Sequence, residues 1–172
     1  MSRRSSPRSG FTLVELLIVV IILGVLAAIA IPQFTSNTED ARISALDTNL
    51  SEMRNAVELY YHQHSATYPG ANRYDNGAAV TTTAQADTSF LKQLTLYTAA
   101  TGVTSTSKDA THKYGPYIKK AMPANPYNSS NEATCDITET DITQVAAAGT
   151  AGWKFYVKTG RLIANDGTHT DR

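Results

Sequence analysis

Phe11-Thr12-Leu13-Val14-Glu15-Leu16-Leu17-Ile18-Val19-Val20-Ile21-Ile22-Leu23-Gly24-Val25-Leu26-Ala27-Ala28-Ile29-Ala30-Ile31-Pro32-Gln33-Phe34 is the stretch from which the rest of this chain is read. From Phe11 to Ile31 only Thr12 and Glu15 are clearly polar. As a helix, that run is about 31 Å long at ~1.5 Å per residue, close to the hydrocarbon thickness of a bilayer. A helix apolar on every side is not one face of a soluble helix. It needs lipid, or a tightly packed bundle of its own kind. Glu15 stands out within it, because a carboxylate in such surroundings is costly and marks a functional site by default.

Arg3, Arg4 and Arg8 precede the run, and no acid does. The positive-inside rule therefore places the N-terminus in the cytoplasm and the chain after Ile31 on the far side. Three readings of the segment compete. It could be an ordinary signal peptide, with Ala28-Ile29-Ala30 as a small-residue cleavage site. It could be a simple single-pass anchor. It could also be a segment cut before the apolar run, which then stays in the mature protein. The first two leave Glu15 without a purpose. A further plain reading has Glu15 resting at headgroup level with no role.

Gly10-Phe11-Thr12-Leu13-Val14-Glu15-Leu16-Leu17-Ile18-Val19-Val20, continued by Gly24-Val25-Leu26-Ala27-Ala28-Ile29-Ala30-Ile31-Pro32, resembles the class III signal of type IV pilins and type II secretion pseudopilins. The resemblance covers the first quarter of the chain. It implies that a membrane prepilin peptidase cuts after Gly10, that Phe11 becomes an N-methylated N-terminus, and that the leader stays in the cytoplasm. It also gives Glu15 a role in subunit assembly. Cleavage leaves a charged amine on Phe11, and burying either that amine or the Glu15 carboxylate alone in an apolar environment is expensive. Pairing the two between neighbouring subunits offsets much of that cost and sets axial register.

Pro32 offers no N–H to the carbonyl of Ala28 and crowds that turn, so a helix kink or local melting is expected around Gly24 to Pro32; the alternative is a helix end. The residues after Phe34 favour continuation. Ile43, Leu46, Leu50, Met53, Val57 and Tyr60 recur in steps of three and four, with Arg42, Asp47, Glu52, Arg54 and Glu58 opposite. This predicts one long helix from Phe11 to about His64, its second half striped to pack on a globular head. A coiled-coil seam is the other use of such a stripe, and it is short for that. His62 and His64, two apart, do not share a helix face and read as a solvated helix end. Tyr68-Pro69-Gly70 is expected to terminate the helix.

The segment from Ala71 to Lys113 is rich in Thr, Ala, Ser, Asn and Gly and reads as a variable connection with little to bury. Phe90, Leu91, Leu94 and Tyr97 predict one short helix within it, from about Thr88 to Ala99. Tyr114 to Lys120 and Met122 to Asn128 form a Pro- and Tyr-rich stretch that excludes regular helix or central strand and reads as an ordered loop. Its Pro-Asn-Pro-Tyr-like part is similar to a loop in the heads of major, G-type pseudopilins. Trp153 to Lys158, Thr159-Gly160 and Arg161 to Asn165 read as a hairpin, with Gly160 in the left-handed position. Trp153, Phe155 and Val157 alternate with Lys154, Tyr156 and Lys158, so one face is expected buried and one wet. A third strand is placed within Asp136 to Val145. The expected fold class is α+β and pilin-like: a long N-terminal helix on a small antiparallel β-sheet head. The expected division is a leader at 1–10, a transmembrane or filament-core helix at 11–34, the amphipathic half-helix at 35–68, and a periplasmic head at 69–172.

The formal net charge is zero, and no basic stripe marks a nucleic-acid partner. No phosphate loop, Cys-x-x-Cys or nucleophile motif is present, so the chain is not expected to be an enzyme. Cys135 is the single cysteine and excludes an internal disulfide. Many type IVa pilins close their C-terminal region with a disulfide, whereas major pseudopilins often use calcium. That resemblance makes Asp136, Glu139, Asp141, Asp166 and Asp171 weak calcium candidates, although their spacing fits no loop motif and solvated surface acids are the default. No other cofactor is implied.

The resemblance therefore implies a structural subunit, inserted once in a bacterial inner membrane with its head in the periplasm, that polymerises into a helical filament. Its partners would be membrane lipid, copies of itself, minor pseudopilins, an inner-membrane platform and a cytoplasmic ATPase. A pseudopilin of type II secretion is the first reading. A type IV pilin for adhesion, twitching or DNA uptake is the second. A membrane-anchored binding protein that never polymerises is the third.

Overall fold

A computed structural model describes residues 11–141 and 149–170, except for the side chains of residues 30–36. The chain divides into two compact units, Met1–Ala41 and Arg42–Arg172.

Helix α1, Leu13–Gln63, begins in the first unit and ends in the second. Its backbone is helical through Gly24 and Pro32, so the local melting expected there is not found. Pro32, where a kink is the other expectation, lies within the helical backbone, and its side chain lies outside the described residues. In the second unit the apolar stripe lies in the core: Leu46, Leu50, Met53, Val57 and Tyr60 are all buried, and Ile43 is half-buried. The opposite residues Arg42, Asp47, Glu52, Arg54 and Glu58 are exposed. The three-and-four spacing that puts one face on the head thus decides burial residue by residue.

The helix stops earlier than Tyr68-Pro69-Gly70. Ser65 and Ala66 both take left-handed backbone angles, with φ of 54° and 60°, and Ala66 N–H bonds back to Tyr61 O at 3.1 Å. His64 does not form a solvated end. It is buried under an aromatic cluster, while His62 is exposed. The step from Tyr60 to His64 is four residues, so His64 continues the buried stripe.

Helix α2, Thr83–Thr95, starts before the expected Thr88 and ends before Ala99. Its start is set by Thr82, whose hydroxyl accepts from Gln85 N–H at 3.3 Å, while the Gln85 amide oxygen accepts from Thr81 N–H at 2.9 Å. Such reciprocal capping satisfies amides that the helix leaves unpaired. Phe90 and Leu94 enter the core and Leu91 stays exposed. Two short strands that the sequence pattern does not announce come after it. β1, Tyr97–Thr98, pairs antiparallel with β2, Thr104–Ser105.

The principal sheet has the order β3-β4-β5: β3 is Ala133–Asp136, β4 Trp153–Tyr156 and β5 Arg161–Ala164. β4 and β5 form the expected hairpin, with Phe155 opposite Leu162. Gly160 has φ of +72°, and a Cβ there would lie 2.2 Å from the Tyr68 ring, so both backbone and space demand glycine. The third strand meets the segment expected for it, Asp136 to Val145, only at Asp136, and residues 142–148 lie outside the described residues. It pairs parallel to β4, which makes the sheet mixed rather than wholly antiparallel. Trp153, Phe155 and Val157 are buried as expected, but Tyr156 is buried too, so the second face is covered at that position.

Side chains from both helices close the open edges of this sheet. The Asp87 carboxylate of α2 accepts from Cys135 N–H of β3 at 2.6 Å. Arg54 of α1 donates twice to Leu162 O of β5, at 3.1 and 2.8 Å. Occupied edge groups are poor templates for strand addition.

Buried amides organise the loops. Gln93, fully buried on α2, accepts from Gly70 N–H at 2.8 Å and donates to Asn72 O and Gly102 O at 2.9 Å each. One side chain thus fastens Gly70 and two points of the Thr-rich connection. Replacing Gln93 by leucine leaves one N–H and two carbonyls without that partner. At about 1–3 kcal/mol for each buried group stranded, Gln93→Leu is expected to lower stability by about 3 kcal/mol or more. A denaturant titration of the full chain in detergent checks this. The Pro-rich loop is fastened in the same manner. Asn125 donates to Gly152 O at 2.9 Å, Asn128 to Ala151 O at 3.1 Å, and Trp153 Nε1–H to Pro123 O at 2.8 Å.

Candidate functional site: the first turn of the long helix

The candidate site is built from Thr12 and Glu15. Thr12 precedes the first helical residue, Leu13, and Glu15 lies three residues on. Thr12 N–H donates to Glu15 Oε2 at 2.8 Å, and the Thr12 hydroxyl donates to the same oxygen at 2.7 Å. Glu15 N–H returns a bond to Thr12 Oγ1 at 3.3 Å. Thr12-Leu13-Val14-Glu15 is therefore a capping box. A carboxylate in the first turn also faces the positive end of the helix dipole. The Thr-x-x-Glu spacing ahead of an apolar run is the sequence signal for this role, which reasoning from the charge of Glu15 alone misses. Thr12→Val is expected to fray the first turn and free the Glu15 side chain, seen as loss of amide protection at Glu15 and Leu16.

The capping box occupies only one carboxylate oxygen. Among the described residues nothing bonds to Glu15 Oε1. Around it the apolar side chains from Leu13 to Ile29 are exposed, none of the large ones less than Val19 at 47%. So large an uncovered apolar surface requires a covering partner. Among the described residues no helix is long and apolar enough to cross a membrane. The described side chains of the run end at Ile29, and Ala30 and Ile31, which extend it in the sequence, lie beyond them. Phe11 is exposed; Gly10 and the rest of the leader lie outside the described residues.

Among the described residues the calcium candidates do not form a metal-holding group. Asp136 accepts from the N–H groups of Thr138 and Glu139 and lies 3.8 Å from Lys154 Nζ. The Glu139 N–H leads in holding its carboxyl below the usual range. Asp166 is nearly enclosed. Burial opposes its ionisation, but Thr168 N–H, His169 N–H, the Asn125 amide and the His169 ring together hold the carboxyl below its ordinary value. The His169 ring stacks on Tyr127 at 4.0 Å. Glu139 accepts from the N–H groups of Thr140 and Asp141, and Asp171 lies outside the described residues. Among the described residues no three His, Cys, Asp or Glu side chains are placed to hold a metal ion. Asp136 and Glu139 accept from the N–H groups of their own turns, and Asp166 is held by its own turn and by Asn125. Cys135 is buried, its thiol pushed up chiefly by burial.

Comparison with known proteins points to the same first turn. Residues 5–31 match the family model for the prokaryotic N-terminal methylation motif. The type II secretion system core protein G of Pseudomonas aeruginosa is 36% identical over 73 residues, 42% of this chain and 49% of that protein. The type IV major fimbrial protein FimA of Dichelobacter nodosus is 47% identical over 53 residues, 31% of this chain and 34% of its own length. A fimbrial protein of Neisseria meningitidis is 34% identical over 87 residues, 51% of this chain and 49% of that one. The chain thus spans about half or less of the length of these relatives. No solved structure matches. The chain carries the methylation motif and is similar to pseudopilins and type IV pilins alike.

Proposed function

We propose that this chain is a structural subunit of a type IV-like filament and that it performs no reaction itself. The observation that carries the reading is the juxtaposition in the first turn. A carboxylate with one oxygen engaged by Thr12 and the other without a partner among the described residues sits at the start of an exposed apolar helix, within the methylation motif. A charged amine on a processed Phe11 would be the complement of Glu15 Oε1. Stacking apolar helices from many copies would cover the surface that lipid covers before assembly. In this reading a peptidase removes residues 1–10 and methylates Phe11. The subunit is held once in the inner membrane, with its head outside the cytoplasm. A membrane platform and an ATPase drive its extraction.

Within that class a type II secretion pseudopilin comes first, supported by the single cysteine, the Pro123-Ala124-Asn125-Pro126-Tyr127 loop and the similarity to a core protein G. The similarity to fimbrial proteins favours a type IV pilin as the second reading. Deleting the gene in its host separates them. Loss of exported proteins from the medium with surface filaments intact supports the pseudopilin. Loss of surface filaments with export intact supports the pilin. Loss of neither overturns both.

A further inference from the structure

His64 has a structural position that filament assembly does not explain. Its ring lies flat on Tyr60, with centroids 3.7 Å apart and planes 4° from parallel. Tyr114 and Tyr117 meet it edge-on at 5.3 and 6.2 Å. The residue is 2% exposed. Nδ1 lies 2.9 Å from Tyr60 O, and because a carbonyl only accepts, Nδ1 carries the proton of the neutral ring. Nε2 is buried and has no hydrogen-bond partner. A bare acceptor in that slot is tolerable, whereas a second N–H would put a cation into a site 2% exposed, with the Ala99 backbone near but no hydrogen bond formed to Nε2.

The next two residues are strained. Ser65 and Ala66 are both left-handed, a conformation disfavoured for residues with a Cβ, and they lie directly one after the other. Such a turn persists only when its surroundings hold it. Here the holding contacts are the buried ring, the Thr67 N–H to His64 O bond at 3.1 Å, and the Ala66 N–H to Tyr61 O bond at 3.1 Å. Tyr117 ties the same place to its own loop, since its hydroxyl donates to Gln63 at 2.8 Å and the Tyr117 and Ile118 amides both bond to Leu94 O.

We propose that His64 is an acid-operated latch: the neutral ring locks the strained turn at Ser65–Ala66 beneath the tyrosines, and the imidazolium leaves that slot and releases the turn together with the 114–118 loop. This rests on packing in the head and is independent of whether the chain polymerises.

The electrostatics act in the required direction. Burial lowers the His64 pKa below its ordinary value and outweighs the bond to Tyr60 O and the backbone of Ala99, which favour the charged ring. The titratable groups facing the ring are Tyr60 on α1 and Tyr114 and Tyr117 on the loop. Tyr60 is raised strongly and Tyr117 to about 12, both chiefly by burial, so neither offers a negative charge near neutral pH. Lys113 stacks its Nζ over the Tyr114 ring, 5.3 Å from the centroid. No carboxylate acts on the ring among the described residues. A lowered folded pKa means that the latch is fully stabilising above the ordinary histidine value of about 6.5 and is lost as pH falls through the lowered value.

Hydrogen exchange of the full chain in detergent micelles, at pH 7.5 and pH 5.0 and corrected for intrinsic rates, tests the proposal. Protection at Ala66, Thr67 and Ile118 is expected to fall about tenfold or more at the lower pH, while Trp153 and Asn165 hold theirs. H64Q, a neutral side chain that can still donate to Tyr60 O, is expected to abolish the difference, and H62Q to retain it. Should H64Q fold poorly, ring titration of His64 by NMR in the unmodified protein decides instead, with a midpoint below the ordinary histidine value of about 6.5 expected. Unchanged protection at pH 5.0, an equal loss at every amide, a pH response that survives in H64Q, or a His64 midpoint at or above the ordinary value of about 6.5 overturns the latch.

Discussion

Replacing Glu15 by alanine is expected to reduce filament assembly by about tenfold or more while leaving the head folded, because it removes the carboxylate that would neutralise a buried amine. The first turn allows two roles of Glu15 to be separated. Glu15 Oε2 is held by the Thr12 amide and hydroxyl, which fixes where the side chain points. Oε1 has no partner among the described residues, and in the proposed filament it is the oxygen that would meet the amine of a processed Phe11. Glutamine serves as well as glutamate in a capping box, yet carries no charge. Glu15→Gln should therefore retain the first turn and still assemble poorly. Filaments recovered by shearing, or subunits cross-linked in intact cells, provide the measure. Normal assembly of Glu15→Gln with failure of Glu15→Ala would reduce Glu15 to a helix cap. Normal assembly of both would remove it from the mechanism.

The largest expected effect on the head comes from Trp153→Ala. Trp153 is fully buried at the start of β4, in the core that contains Leu50, Met53 and Phe90. Removing a buried tryptophan costs about 3–5 kcal/mol in transfer and cavity terms. The same change strands Pro123 O, which the indole N–H now satisfies at 2.8 Å, and loosens the loop carrying Asn125. With total stabilities of about 5–15 kcal/mol for a domain, this approaches the whole margin. A fall of roughly 10–25 °C in melting temperature is expected. Circular dichroism of the full chain in detergent reads it through loss of the β signal. Trp153→Phe should recover part of the packing but not the bond to Pro123. A loss below ~1 kcal/mol in Trp153→Ala would place the core elsewhere.

Periodicity made part of this molecule legible. Leu46, Leu50, Met53, Val57 and Tyr60 are buried because steps of three and four confine them to one face. The hairpin was legible because Gly160 punctuates two alternating runs. His64 obeys the same stripe, yet a histidine beside an exposed helix end looks solvated; the four-residue step from Tyr60 is the signal that places it inside. The Thr12 and Glu15 capping box is equally visible in the spacing.

Other features depend on distant partners and leave no local mark. The parallel pairing of β3 with β4 joins Cys135 to Phe155 across a long connection. Gln93 looks like any polar helix residue until Gly70, Asn72 and Gly102 converge on it. Asp166 reads as a possible metal ligand until Asn125 and His169 occupy its oxygens. Polar residues buried with full partnership are set by the fold as a whole.

The central claim is that the chain is processed immediately ahead of the turn that Thr12 and Glu15 organise. Intact-mass and N-terminal analysis of the protein purified from membranes of its native host tests this most directly. The account predicts a mature chain that begins at Phe11 and carries a methyl group on its amine. A chain beginning at Ile31, or one still beginning at Met1 in a host that has the peptidase, would contradict it, leaving Glu15 no amine to meet.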